Sequence, residues 1–233
     1  MHNNKPDYLD FCPTLKRMVR DGVYPNGNES ISVGANSTEN NLHILRELIR
    51  AKKPVRTLEI GLANGASALV ILASLNEFVA ANHQHTAIDP FQKDHWKSVG
   101  LCSVQTAGFQ DHFRFMEDFS SLALPRLVEA RDCFDFIYVD GSHAYDNVFV
   151  DHYYGLRLLK RNGVILFDDC TTGDVAAVIR FIIQKQKHIL RELDLNPFRN
   201  PNRSWKRKLG NMLGRSQIRA FAKLGDWTGF LNL

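Results

Sequence analysis

Residues 134–143 read Phe-Asp-Phe-Ile-Tyr-Val-Asp-Gly-Ser-His, and residues 163–169 read Gly-Val-Ile-Leu-Phe-Asp-Asp. Each is an apolar run short enough for one buried strand, and each ends abruptly in carboxylates. In an open α/β sheet, ligands bind at the carboxyl ends of the strands. Asp140, Asp168 and Asp169 are therefore expected to converge on one crevice, with His143 beside them. Oxygen ligands and a titratable base gathered in one place make a chemical site.

Outward from these runs, strand and helix patterns alternate. Strands are expected at 55–60, 84–89, 112–116, 134–139 and 163–168, with helices at 66–80, 92–107, 121–130, 145–161 and 173–187. This is the βαβ signature of a mostly parallel sheet with helices on both faces, joined by right-handed crossovers. Apolar runs at 188–193 and 217–223 would bring the sheet to seven strands. Upstream, Tyr8 to Val19 carries apolar residues at helical spacing. A second helix is expected over 38–52, with Thr38 as N-cap and Leu42, Ile44, Leu45, Leu48 and Ile49 as its apolar face. Residues 1–36 form an N-terminal extension, a candidate substrate lid or oligomer contact. Residues 37–233 form one catalytic-type domain, with a Pro/Asn/Arg-rich insertion at 196–216.

The chain has 233 residues, 44% of them apolar, enough to bury a sizeable core. No apolar run is long enough to span a membrane, and the polar start lacks a secretory h-region. Cys12, Cys102, Cys133 and Cys170 are scattered, without a CxxC pair, which fits reduced thiols in a cytoplasmic protein. The net charge of +4 is uneven: Arg199 to Lys223 holds eight Lys/Arg and no acid, leaving about −4 on the rest. That segment is either a solvated basic loop or a surface for an anionic partner.

The run Glu59-Ile-Gly-Leu-Ala-Asn-Gly-Ala-Ser67 links the first strand to its helix. Gly61 and Gly65 allow a tight turn and close ligand approach, and the helix behind them offers free N–H groups. The third glycine of GxGxxG is missing, which weakens a nicotinamide dinucleotide reading. Glu59 ends a buried strand and needs a partner, which a cationic or hydrogen-bonding ligand would supply. Asp89 ends the second strand, where an acid accepts ribose hydroxyls; a turn Asp before Pro90 is the plain alternative. Likewise Asp140-Gly141 is a common turn pair, and Asp168 or Asp169 could cap a helix.

The order is more specific than its parts: Glu-x-Gly-x-x-x-Gly, then Asp89, Asp140 and Asp168-Asp169 after successive strands. It resembles the class I S-adenosylmethionine-dependent methyltransferases, and within them the metal-dependent O-methyltransferases of catechol and caffeoyl-CoA type and their antibiotic-tailoring relatives. The phrases 134–145 and 158–169 carry the likeness, which covers roughly residues 38–190, with Asn162-Gly163 where the family usually has Gly-Gly. The resemblance implies a Rossmann-like, doubly wound, seven-stranded and mostly parallel sheet whose last strand is antiparallel. It implies that Glu59, Gly61, Ala63, Gly65 and Ser67 line the methionine half of the cofactor and that Asp89 binds its ribose. Asp118, Phe119, Ser120 and Ser121 would surround the adenine. Asp140, Asp168 and Asp169 would hold a divalent metal. His143 falls where the catechol enzymes carry a basic lysine.

The chemistry follows from the residue types. A hydroxyl is a poor nucleophile until deprotonated. Magnesium takes hard oxygen ligands, and a substrate oxygen bound to it loses its proton more readily, with His143 as proton acceptor. Tyr8, Phe11, Trp96, Tyr145 and Trp205 are candidate walls of an acceptor pocket, Trp96 foremost. The leading expectation is O-methylation of a small-molecule hydroxyl, with an anionic acceptor favoured by the basic segment and homo-oligomerisation open. The alternative is methylation of RNA, gripped by residues 199–223. A dinucleotide oxidoreductase and a non-catalytic interaction module are further readings, the last opposed by the intact acid set.

Overall fold

The computed structural model describes residues 7–25, 38–79, 82–200 and 216–225. A seven-stranded sheet in the order β3-β2-β1-β4-β5-β7-β6 forms its centre. The strands are β1 (Arg56–Ile60), β2 (Gln84–Ile88), β3 (Phe113–Met116), β4 (Phe134–Val139), β5 (Leu159–Phe167), β6 (Leu190–Glu192) and β7 (Arg219–Lys223). Pairing is parallel from β3 through β5, and β7 runs antiparallel to both β5 and β6. The expected doubly wound sheet with an antiparallel last strand is what forms.

Side-chain alternation assigns each strand two faces. Leu58, Ile60, Ile137, Val139, Ile165 and Phe167 join an apolar core with α5 (Ser120–Glu129), α6 (Tyr145–Leu158) and α7 (Gly173–Lys185). Phe136, Tyr138, Val164 and Leu166 join the opposite core with α1 (Pro13–Asp21), α2 (Glu39–Lys52) and α3 (Ala66–Phe78). A register shift between Phe134 and Phe136 explains why these two, an even step apart, lie in different cores. In α3 every residue from Ala66 to Leu75 is buried, because the sheet, α1, α2 and α4 (Val99–Thr106) surround it. The N-terminal extension contributes Leu9, Leu15 and Met18 to the same core as α2. Among the described residues no helix is long and apolar enough to cross a membrane.

Thr38 caps α2 as expected, its hydroxyl accepting from the Asn41 N–H at 3.3 Å. Several boundaries differ from the periodicity. The first helix starts at Pro13 rather than Tyr8. The helix expected from 92 begins only at Val99, because Lys97 and Ser98 have φ of +48° and +60° and the Gln92 carbonyl accepts from the Ser98 N–H. The helix expected to reach 161 stops at Leu158 and passes directly into β5. Lys160 there pairs with Asp135 at 2.8 Å, and Asn162 takes a left-handed φ of +66°. Of the expected insertion at 196–216, Asn196–Phe198 forms one 3₁₀ turn, while 201–215, including Trp205, lies outside the described residues.

Candidate active site

Adjacent strands β1 and β4 are followed by chain leaving to opposite sides, and ligands bind outside the strand ends at such a switch point. The strand ends are tied by backbone bonds: Gly61 N–H to Ile88 O, Asp140 N–H to Ile60 O, and Asp168 N–H to Val139 O. The acids that follow each strand are thereby set side by side. Gly61 has a reason to be glycine: with φ at +94°, a Cβ there would lie 2.3 Å from the Asp140 carbonyl oxygen.

Two cavities open above this edge. One, of about 370 Å³, is lined by Gly61, Ala63, Asn64, Ser67, Trp96 and Asp140, with His143, Asp168, Asp169 and Gln217 on its far side. The other, of about 410 Å³, is lined by Asp89, Phe91, Trp96, Phe119, Ser120 and Ser121, and by Gly61, Ala63 and Asp140 again. They meet at Gly61, Ala63, Trp96, Asp140 and Gly141.

The carboxylates differ sharply in their surroundings. Asp168 is buried at 5% exposure. Its oxygens accept from the Asn41 amide at 2.8 and 2.9 Å, from the Asp169 N–H at 2.7 Å and from the Tyr138 hydroxyl. Four donor contacts fill the lone-pair positions of a carboxylate. Asp140 lies 3.2 Å from the same Tyr138 hydroxyl, whose one proton is directed at the nearer Asp168. Burial, and after it the charges of Asp168, Glu59 and Asp169, push the Asp140 carboxyl well above the usual carboxylate range. Burial also raises Asp168, against the pull of its hydrogen bonds. Asp169 holds His143, Nε2 to Oδ2 at 3.0 Å, and accepts from the Gln217 amide at 3.2 Å on its other oxygen. Asp140, His143 and Asp169 each offer a ligand atom, all within 4.8 Å of one another. The expected group is thus gathered with one rearrangement: Asp168 stands behind the cluster and His143 stands in it.

On the first strands, Glu59 is fully buried and lines neither cavity. Its partner is internal: His85 Nε2 lies 3.3 Å from Oε2, with the Thr57 hydroxyl 2.9 Å from Nδ1, while Oε1 has no hydrogen bond among the described residues. Because a carboxylate accepts, Nε2 is the donor of the His85–Glu59 contact. Asp89 is turned toward the protein. Its Oδ2 accepts from the N–H groups of Leu62 and Ala63 at 3.0 and 2.8 Å, and its Oδ1 from that of Phe91 at 2.7 Å. Gly65, with φ at +86°, opens α3 as its N-cap. Phe119, Ser120 and Ser121 face the second cavity, whereas Asp118 is engaged by its neighbour's N–H and by Arg126 at 2.6 Å.

Of the expected aromatic walls, Trp96 borders both cavities; Tyr8, Phe11 and Tyr145 border neither. Phe11 lies under the Arg46 guanidinium at 3.8 Å instead. His152 is internal, its Nε2 2.7 Å from the Gln186 side-chain oxygen, and burial lowers its pKa to about 4. Sequence reasoning missed Asn41, Tyr138 and Gln217. Only Tyr138 left a signal, since it precedes Asp140 by two along a strand and so shares its face.

Residues 58–170 match the family of methyltransferase domains. A protein of Arabidopsis thaliana, assigned by name to the caffeoyl-CoA O-methyltransferases, is 32% identical over 128 residues, 54% of this chain and 51% of that protein. The chain therefore spans about half the length of the curated relative it matches. Among solved structures, an O-methyltransferase of Bacillus cereus with bound SAH superposes with a TM-score of 0.68 at 14% identity, over 96% of this chain and 94% of that one. The O-methyltransferase TomG of Streptomyces achromogenes, with bound SAM, superposes with a TM-score of 0.56 at 14% identity, over 95% and 92%. These likenesses fix the fold.

Proposed function

We propose that this chain, whose residues 58–170 match the family of methyltransferase domains, is an S-adenosylmethionine-dependent O-methyltransferase acting on the hydroxyl of a small molecule. The observation that carries the reading is the pair of cavities meeting at Gly61, Ala63, Trp96 and Asp140. One is lined by Phe91 and Phe119, which touch edge to face at 5.8 Å, with Ser120 and Ser121 beside them, an apolar and hydroxyl-bearing wall for an adenine. The other ends in the Asp140–His143–Asp169 cluster. A methyl donor lying across the junction presents its sulfonium between them. The relative named for caffeoyl-CoA O-methylation and the SAM- and SAH-bound neighbours support the same reaction class.

Gly61, Ala63, Gly65 and Ser67 form the turn that receives the methionine end. Glu59 lies behind it, its Oε1 without a hydrogen bond among the described residues. Asp89 shapes the ribose side through the loop N–H groups it holds. Asp169 fixes His143 through Nε2, which leaves the other ring nitrogen to take the acceptor's proton, the logic of a carboxylate-oriented base. Trp96 orients the acceptor at the junction. Positioning of this kind lowers a barrier by about 7–11 kcal/mol at best.

The donor chemistry fits a divalent cation such as magnesium. Asp140 and Asp169 would supply its oxygen ligands, with His143 adjacent, while Asp168 is held behind them by Asn41 and Tyr138. When bound, such an ion lowers the pKa of an acceptor hydroxyl and offsets the clustered negative charge. The basic run Arg203 to Lys208 favours an anionic acceptor by its charge alone. Transfer of a labelled methyl group from SAM to a panel of vicinal diols and catechols, with and without chelator, tests the proposal. Label on a hydroxyl oxygen supports it. SAH binding without transfer to any hydroxyl, together with transfer to RNA, would replace it by the nucleic-acid reading.

A further inference from the structure

Gln92 lies in the turn between β2 and α4, fully buried, and touches neither cavity. Its side-chain nitrogen donates to the Ala63 carbonyl at 2.6 Å and sits 3.3 Å from Asp89 Oδ2. Both partners are acceptors, so the orientation of this amide is fixed by chemistry. Its Oε1 is buried without a hydrogen bond among the described residues. Gly100, at the start of α4, leaves room for the arrangement: a Cβ there would stand 2.9 Å from Gln92 Oε1 and 2.7 Å from the Ala63 oxygen.

What Gln92 holds is one of two left-handed non-glycine positions lining the first cavity, the other being Asp169. Ala63 has φ at +47°, a conformation that L-residues other than glycine rarely keep unless the surroundings enforce it. Three contacts enforce it here. Asp89 takes the Leu62 and Ala63 N–H groups, and Gln92 takes the Ala63 carbonyl. Ala63 is also one of the residues at which the two cavities join. The direction of its peptide groups therefore sets the floor on which the methyl donor lies.

We propose that Gln92 is a positioning residue for the methyl donor, acting through Ala63: it locks the left-handed turn that shapes the junction of the two cavities. The inference rests on the reading that this crevice takes S-adenosylmethionine. The test is calorimetric titration of SAH into wild type, Gln92→Met and Gln92→Glu, with ligand-free melting curves alongside. Gln92→Met keeps the bulk and removes the donor. It should weaken SAH about tenfold, the effect of losing one hydrogen bond of ordinary net strength, with little change in the ligand-free melting point. Amide exchange at Leu62 and Ala63 should quicken. Gln92→Glu places a second carboxylate against Asp89. Its affinity for SAH should be poor at neutral pH and recover on acidification, when the protonated acid can again donate to the Ala63 carbonyl. Each profile is divided by that of wild type, so that Asp89's own response cancels. Wild-type affinity in Gln92→Met, or a Gln92→Glu profile parallel to wild type should Gln92→Met fail to fold, would reduce Gln92 to a space filler. A wild type that does not bind SAH would overturn the donor reading itself and this inference with it.

Discussion

Asp89 and Asp140 end strands on either side of β1, and the molecule treats them in opposite ways. Asp89 on the donor side is met by backbone N–H groups of Leu62, Ala63 and Phe91, all supplied by the fold itself. Asp140 on the acceptor side is crowded by Asp168, Glu59 and Asp169, and its carboxyl is pushed upward by burial and by those charges. Hydrogen-bond donors stabilise an anion, whereas like charges and desolvation penalise it. The donor side is thus complete as folded. The acceptor side holds an electrostatic conflict that a cation, or a proton, must relieve. On the proposed reading, the methyl donor binds without help, and the conflict must be resolved before chemistry.

The strongest way to break the comparison is on the acceptor side. Chelator, or Asp140→Ala, should abolish methyl transfer, and magnesium should restore the chelated wild type alone; rates followed with labelled donor decide it. His143→Ala should lower turnover by about 10²–10⁴-fold, the usual cost of removing a general base, with SAH affinity changed little. Near-normal turnover at every pH would leave the imidazole a positioning role. On the donor side, Asp89→Ala strips the loop N–H groups of their acceptor and should weaken SAH by about 10- to 100-fold, or 1.4 kcal/mol per tenfold. Equal affinity in calorimetry would contradict the loop's dependence on Asp89.

The smallest expected effect is on stability, at the wall between α5 and α6. Asp151 is buried there, neither carboxylate oxygen has a hydrogen bond among the described residues, and burial raises its pKa to about 7, opposed by the Ser120 side chain. The unfolded chain releases that proton near 3.8, the folded chain only near 7. Between those values the folded state binds more protons than the unfolded state, so stability falls as pH rises. Asp151→Asn should flatten that fall and melt higher than wild type at about pH 8. Melting curves with the same pH slope in both proteins would show that Asp151 does not titrate there.

The contrast also explains how much was legible beforehand. The strands β1 to β5 and the gathering of Asp140, His143 and Asp169 follow from local signals, apolar runs of strand length each closed by an acid, whereas the antiparallel last strand was implied only by the family resemblance. Helix starts were less legible where tertiary bonds overrode periodicity, as at Val99, where backbone donors of the 90–98 turn are taken by Asp89 and Gln92. The support of the acids was not legible at all. Asn41 lies 127 residues from the Asp168 it binds, and Gln217 lies 48 from Asp169, distances that no motif spans. The destination of Glu59 was hidden for the same reason, since its partner His85 comes from the neighbouring strand.

The most direct measurement is calorimetric titration of S-adenosylhomocysteine into the protein, once in excess chelator and once in magnesium. The account predicts micromolar binding, about 8 kcal/mol, equal within a few-fold in both, because the donor side is complete without the ion. Absence of binding in both, or binding that appears only with magnesium, would contradict it.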